Sequence, residues 1–91
     1  MIESGSIVEL SNNKKYIITD STIENGSVYY LSLEVDNDTE IPTENDVFFK
    51  QTENNTLTPI TNESDIDFLK NIFVNKFLSS YLVENKVSEN W

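Results

Sequence analysis

The sequence predicts an α+β domain: a small twisted antiparallel sheet or SH3-like barrel of about five strands, with one C-terminal helix. Two observations predict it. Over the first sixty residues, short β-rich runs alternate with turns carrying Asn or Gly. After Thr61 the apolar spacing changes from two to about 3.6 residues. Length adds a bound, since 91 residues make one domain with a small core and no Cys or His is present to staple it.

Residues 6–10 form the first β-rich run, and Ser11-Asn12-Asn13 turns because Asn tolerates left-handed backbone. Residues 14–20 are rich in β-branched residues and are read as the second strand. Glu24-Asn25-Gly26 is the clearest hairpin signal, because Asn-Gly suits the two positive-φ positions of a type I′ turn. Residues 27–35 are the longest strand, with Tyr29, Leu31, Leu33 and Val35 on the face expected to meet the core. Residues 36–45 read as a loop, since Pro42 has no N–H for a central strand. Residues 46–52 and the short, Pro59-containing run 56–60 complete the sheet.

The helix is expected over 62–83. Ser64 with Asp67 imitates a capping box, and Glu63, Asp65 and Asp67 suit the positive end of the helix dipole. Ile66, Leu69, Phe73, Phe77 and Tyr81 form its core stripe. The expected core is Tyr29, Leu31, Leu33, Phe49, Ile66, Leu69, Phe73 and Phe77. Residues 1–83 are read as one domain, and 84–91 as a polar tail expected to be mobile.

The chemistry is bounded by what is missing. The net charge is −10, from sixteen acids and six bases that are all Lys. Without His or Cys there is no Ser–His or Cys–His nucleophile and no zinc site with nitrogen or sulfur ligands. Gly5 and Gly26 are the only glycines, so neither a P-loop nor a dinucleotide fingerprint fits. Carboxylate pairs could serve a glycosidase, but a domain this small rarely supplies the deep cleft they need. Asp36-Asn37-Asp38-Thr39-Glu40 has the alternating acids of a calcium loop, yet Ile41 stands where glycine is needed and Val47 where the twelfth-position Glu belongs. The expectation is a protein that is not an enzyme, with no cofactor and no metal.

Such acidity repels nucleic acid and anionic membranes, whose recognition needs Lys or Arg against phosphate. It favours encounter with a basic protein surface, for instance that of a nucleic-acid-binding protein. The plain alternative is that the charge serves solubility. Glu34, Asp36, Asp38, Glu40, Glu44 and Asp46 gather within thirteen residues and are the candidate contact. A second candidate is apolar: Leu78, Leu82 and the terminal Trp91, which would join a homodimer or another partner. No secretory signal and no bilayer-length apolar run are seen, so cytoplasmic residence is expected.

The stretch 55–63, Asn-Thr-Leu-Thr-Pro-Ile-Thr-Asn-Glu, followed by a Phe/Leu-rich helix, resembles the C-terminal half of small acidic bacterial proteins of unknown function. Residues 15–18 (Lys-Tyr-Ile-Ile) and 28–31 (Val-Tyr-Tyr-Leu) resemble their tyrosine-containing hairpin, and the likeness in pattern spans about residues 5–82. In style the chain also resembles phage and mobile-element proteins. These include anti-CRISPR inhibitors and other DNA mimics, which present carboxylates to basic clefts. That resemblance implies an inhibitor, without a motif for any one family.

Overall fold

The computed structural model describes residues 1–89, with side chains through residue 80. The chain divides into two compact units, Met1–Thr61 and Asn62–Trp91. The first is an antiparallel meander of β1 (Ile7–Glu9), β2 (Lys15–Glu24), β3 (Ser27–Val35), β4 (Pro42–Gln51) and β5 (Leu57–Pro59), hydrogen-bonded in that order. It curls into a half-barrel. The second carries one helix, α1 (Glu63–Glu89). The α+β class and the strand count are those the sequence predicts.

Turn chemistry explains the connections. Asn25 and Gly26 both take positive φ, 53° and 79°, as a type I′ hairpin requires. Asn13 does so at the β1–β2 turn, and Asn54 and Asn55 do so before β5. The Asn12 side chain accepts a hydrogen bond from the Lys14 N–H at 2.9 Å and closes the first of these turns.

A β-bulge decides which side chains of β2 point inward. Ile18 pairs with Ser32, but Asp20 pairs with Leu31, so Thr19 is an extra residue on β2. Its hydroxyl donates to the Leu31 carbonyl at 3.1 Å. Before the bulge Tyr16 and Ile18 face the interior. After it Ser21 does, opposite Tyr30, and Asp20 is turned to the outer face. Without the extra residue, strict alternation would aim the Asp20 carboxylate at the core.

The inner face is built from Tyr16, Ile18, Tyr30 and Phe49, with Ile2, Val8, Leu10, Val28, Val47 and Leu57 packed around them. Tyr16 on β2 and Phe49 on β4 meet edge to face, their ring centroids 5.0 Å apart, although β3 runs between their strands. Ser32, buried on β3 between them, leaves the space for this contact and donates its hydroxyl to the Val47 carbonyl at 2.8 Å.

Several expectations are corrected here. On β3 Tyr30 and Ser32 are fully buried on the inner face; of the stripe expected to meet the core only Val35 is buried, whereas Tyr29, Leu31 and Leu33 are half-buried on the outer face. Phe48 on that outer face is itself buried, so both faces of the sheet carry buried apolar side chains and alternation does not single one out. β4 begins at Pro42, not at Asp46. Pro42 is the first residue of the strand, and β5 reaches only Phe49–Gln51, so no neighbour on that side needs its missing N–H.

On α1 the cap is Asn62. Its side-chain oxygen accepts from the N–H groups of Ser64 and Asp65 at 2.9 and 3.2 Å, displacing the expected Ser64 box. Leu69 and Phe73 are buried and Ile66 is half-buried, but Phe77 is 68% exposed and leaves the expected stripe; the Tyr81 side chain lies outside the described residues. The backbone stays helical to Glu89 and not only to Val83, because no Gly or Pro interrupts that stretch.

Phe73→Ala should therefore lower stability by about 3–5 kcal/mol, while Phe77→Ala should change it by less than about 0.5 kcal/mol. Urea denaturation of both variants checks this, and equal losses would show that the buried face of α1 is misassigned.

Candidate functional site

The six acids of the candidate contact lie along the end of β3, the connecting turn and the start of β4, and the structure gives three of them internal partners. Asp36 organises the turn. One of its carboxylate oxygens accepts the N–H of Asp38 at 2.9 Å and that of Thr39 at 3.0 Å. The Glu40 N–H donates to the Asp36 carbonyl at 2.8 Å, and the Asp36 N–H to the Ile41 carbonyl at 3.0 Å. Glu40 takes a φ of 57° to complete this turn, a left-handed conformation unusual for Glu. The Thr39 and Asp38 N–H groups hold the Asp36 carboxyl below its ordinary pKa, because they bond its charged form.

Glu34 and Glu40 face the two lysines of the neighbouring turn, with Lys14 Nζ 3.8 Å from Glu34 and Lys15 Nζ 3.8 Å from Glu40. Glu34 also accepts from the Asn45 amide at 3.1 Å. Asp38, Glu44 and Asp46 are exposed, and among the described residues they form no ion pair. The six do not share one face. Glu34 lies opposite Tyr16 on the inner side of the sheet and Asp46 opposite Leu33 on the outer side. The arrangement is an acidic rim around one end of the sheet. Among the described residues no three acids converge as a metal site.

The lysines of this unit are all engaged. Lys14 and Lys15 meet Glu34 and Glu40, and Lys50 Nζ lies 5.9 Å from the centre of the Tyr29 ring. Eleven acids stand against these three bases in Met1–Thr61.

The second candidate is only partly visible. Leu78 is 44% exposed and lies on one helical stripe with the exposed Val74 and Phe77. The Leu82 side chain and Trp91 lie outside the described residues.

Sequence reasoning missed a groove at the seam of the half-barrel. β1 and β5 are the ends of the meander and do not pair with each other. Between them opens a cleft of about 480 Å³ whose apolar lining includes Ile2, Val8, Leu10, Leu57 and Pro59. Beside it, the hydroxyl of the fully buried Tyr30 accepts from the Ile2 N–H at 3.0 Å and donates to Gln51 Oε1 at 2.5 Å. Gln51 in turn donates to Asn55 Oδ1 at 2.9 Å. The available signal was topological, since the first and last strands of a five-strand meander are edges unless the sheet closes.

Comparison with known protein families, characterised proteins and solved structures finds no match to this chain.

Two outcomes are expected. The carboxyl of Asp36 is depressed in the folded state, so its contribution is present above the ordinary carboxylate pKa and fades as pH falls through the lowered value. In an NMR titration the Asp38 and Thr39 amide shifts should report a step below the ordinary carboxylate range, and Asp36→Ala should abolish that step. Tyr30→Phe should cost on the order of 1 kcal/mol by leaving the Ile2 N–H and Gln51 without their shared partner. A thermal melt unchanged by the substitution would show that water replaces the hydroxyl.

Proposed function

We propose that this chain is a non-enzymatic binding protein whose acidic sheet docks on a basic surface of another protein. In its sharper form it is a DNA-mimic inhibitor that occupies the cleft of a nucleic-acid-binding protein. The observation that carries the reading is the uncompensated charge of Met1–Thr61, eleven acids with every one of its three lysines already engaged. No lysine of this unit is without an acidic or aromatic neighbour, which favours a basic partner over nucleic acid. Within the rim the roles divide. Asp36, Glu34 and Glu40 shape the turn, and Asp38, Glu44 and Asp46 face outward for contact.

A contact of this kind depends on salt, because the screening length falls from about 10 Å at 0.1 M to about 3 Å at 1 M. Partners captured from a host lysate at low salt should be released at high salt. The Asp38→Asn, Glu44→Gln, Asp46→Asn triple variant keeps the turn and should lose them. Capture by the triple variant of the same proteins, with the same salt midpoint, would end this reading.

The stripe of Val74, Phe77 and Leu78 supports a second reading, self-assembly through the helix. Light scattering should then give a dimer mass that falls to the monomer on Leu78→Glu, and a native chain that is monomeric at tens of micromolar would exclude it.

A further inference from the structure

The two walls of the seam offer different hydrogen-bonding edges. On β1 the Leu10 N–H donates to the Lys14 carbonyl at 3.0 Å and the Ser6 carbonyl accepts from Ile18 at 2.9 Å. The register places Val8 opposite Tyr16 in the same series. The Ser6 carbonyl, the Val8 backbone and the Leu10 N–H therefore face β2, the Ser6 N–H turns back to the Glu3 carbonyl at 3.2 Å, and Ile7 and Glu9 turn their backbone groups to the open edge. On β5 the Ile60 N–H donates to Phe48, and Thr56 accepts from Thr52. That leaves Leu57 and Pro59 facing the seam, and Pro59 has no N–H to offer. The β5 edge is blunted and the β1 edge is open.

We infer that the β1 edge takes an extended segment of another protein as an added strand, apolar at alternate positions and basic between them. The free N–H and C=O groups of Ile7 and Glu9 repeat every two residues, the spacing of a strand partner. Side chains of the segment that point inward meet Val8, Leu10, Leu57 and Pro59 in a cleft whose 480 Å³ lies within the roughly 300–1,000 Å³ of ligand sites. Those pointing outward lie beside Glu9, whose β2 neighbour on that face, Lys15, is itself paired with Glu40. No lysine lines the cleft, so basic residues on the segment are matched and acidic ones are opposed. This inference does not rest on the acidic rim at 34–46.

The test uses the full chain, labelled with ¹⁵N, and a capped hexapeptide of alternating valine and lysine. Amide shifts should concentrate at residues 7–10 and 57–60. The same peptide N-methylated on alternate amides should not bind, and a valine–glutamate peptide should bind more weakly. Ile7→Pro removes an outward N–H and leaves the β2 ladder intact, so it should weaken binding roughly fivefold. If that variant fails to fold, the N-methylated peptide still decides. Shifts confined to residues 34–46, shifts on the helix, no shifts at all, or equal binding of the N-methylated peptide would each overturn the inference. The Asp38/Glu44/Asp46 variant should bind the peptide as the native chain does, so failure of the rim reading leaves this result distinguishable.

Discussion

The hydroxyl of Tyr30 has to be satisfied where no water reaches it, and much of the inner face follows from how that is done. Tyr30 sits at the centre of the middle strand and is wholly buried. A phenol there without partners would be strongly unfavourable. Its two partners come from distant parts of the chain, the Ile2 N–H and the Gln51 side chain, so one group ties the N-terminal segment to β4. Ile2 is thereby laid against the core cluster, and Gln51 is oriented to reach Asn55 in the turn before β5. In a small domain without cysteines, a few such polar anchors fix the geometry that apolar packing alone leaves loose.

Much of the fold was legible because local chemistry and global topology agree. Asn25-Gly26 announces its hairpin, Pro59 its edge, and the change of period after Thr61 the helix. What could not be read was which face of β3 is inside. Tyr29, Leu31 and Leu33 look like the better core stripe, but of that stripe only Val35 is buried, and full burial in the middle of the strand goes to Tyr30 and Ser32, whose polar atoms find partners on other strands. The consecutive burial of Phe48 and Phe49 shows the reason, since both faces carry apolar weight and period two stops discriminating. The exposure of Phe77 was equally hidden, because Phe73 and Phe77 are the same residue one turn apart and only tertiary context separates them.

The acidic segment was legible as composition but not as geometry. Six carboxylates in thirteen residues suggest one surface, yet folding sends Glu34 and Asp46 to opposite sides of the sheet and makes Asp36 an element of the turn. A carboxylate that accepts two backbone N–H groups is doing structural work, and counting it toward a binding face overstates the charge on offer. The seam was invisible for a different reason. It is made by strands that never pair, so only the order of the strands, and no run of residues, points to it.

The bulge at Thr19 has a consequence beyond the facing of Asp20. A regular two-stranded ribbon can slide by two residues and keep every side chain on its own face, which is how hairpins mispair and exchange strands between molecules. Here such a slide would carry the extra residue away from Leu31, the carbonyl its hydroxyl holds, and would face Asp20 and Ser21 with the wrong partners. The bulge therefore works as a detent that gives the long β2–β3 ribbon a single alignment, in a protein whose open β1 edge leaves it exposed to unwanted strand pairing.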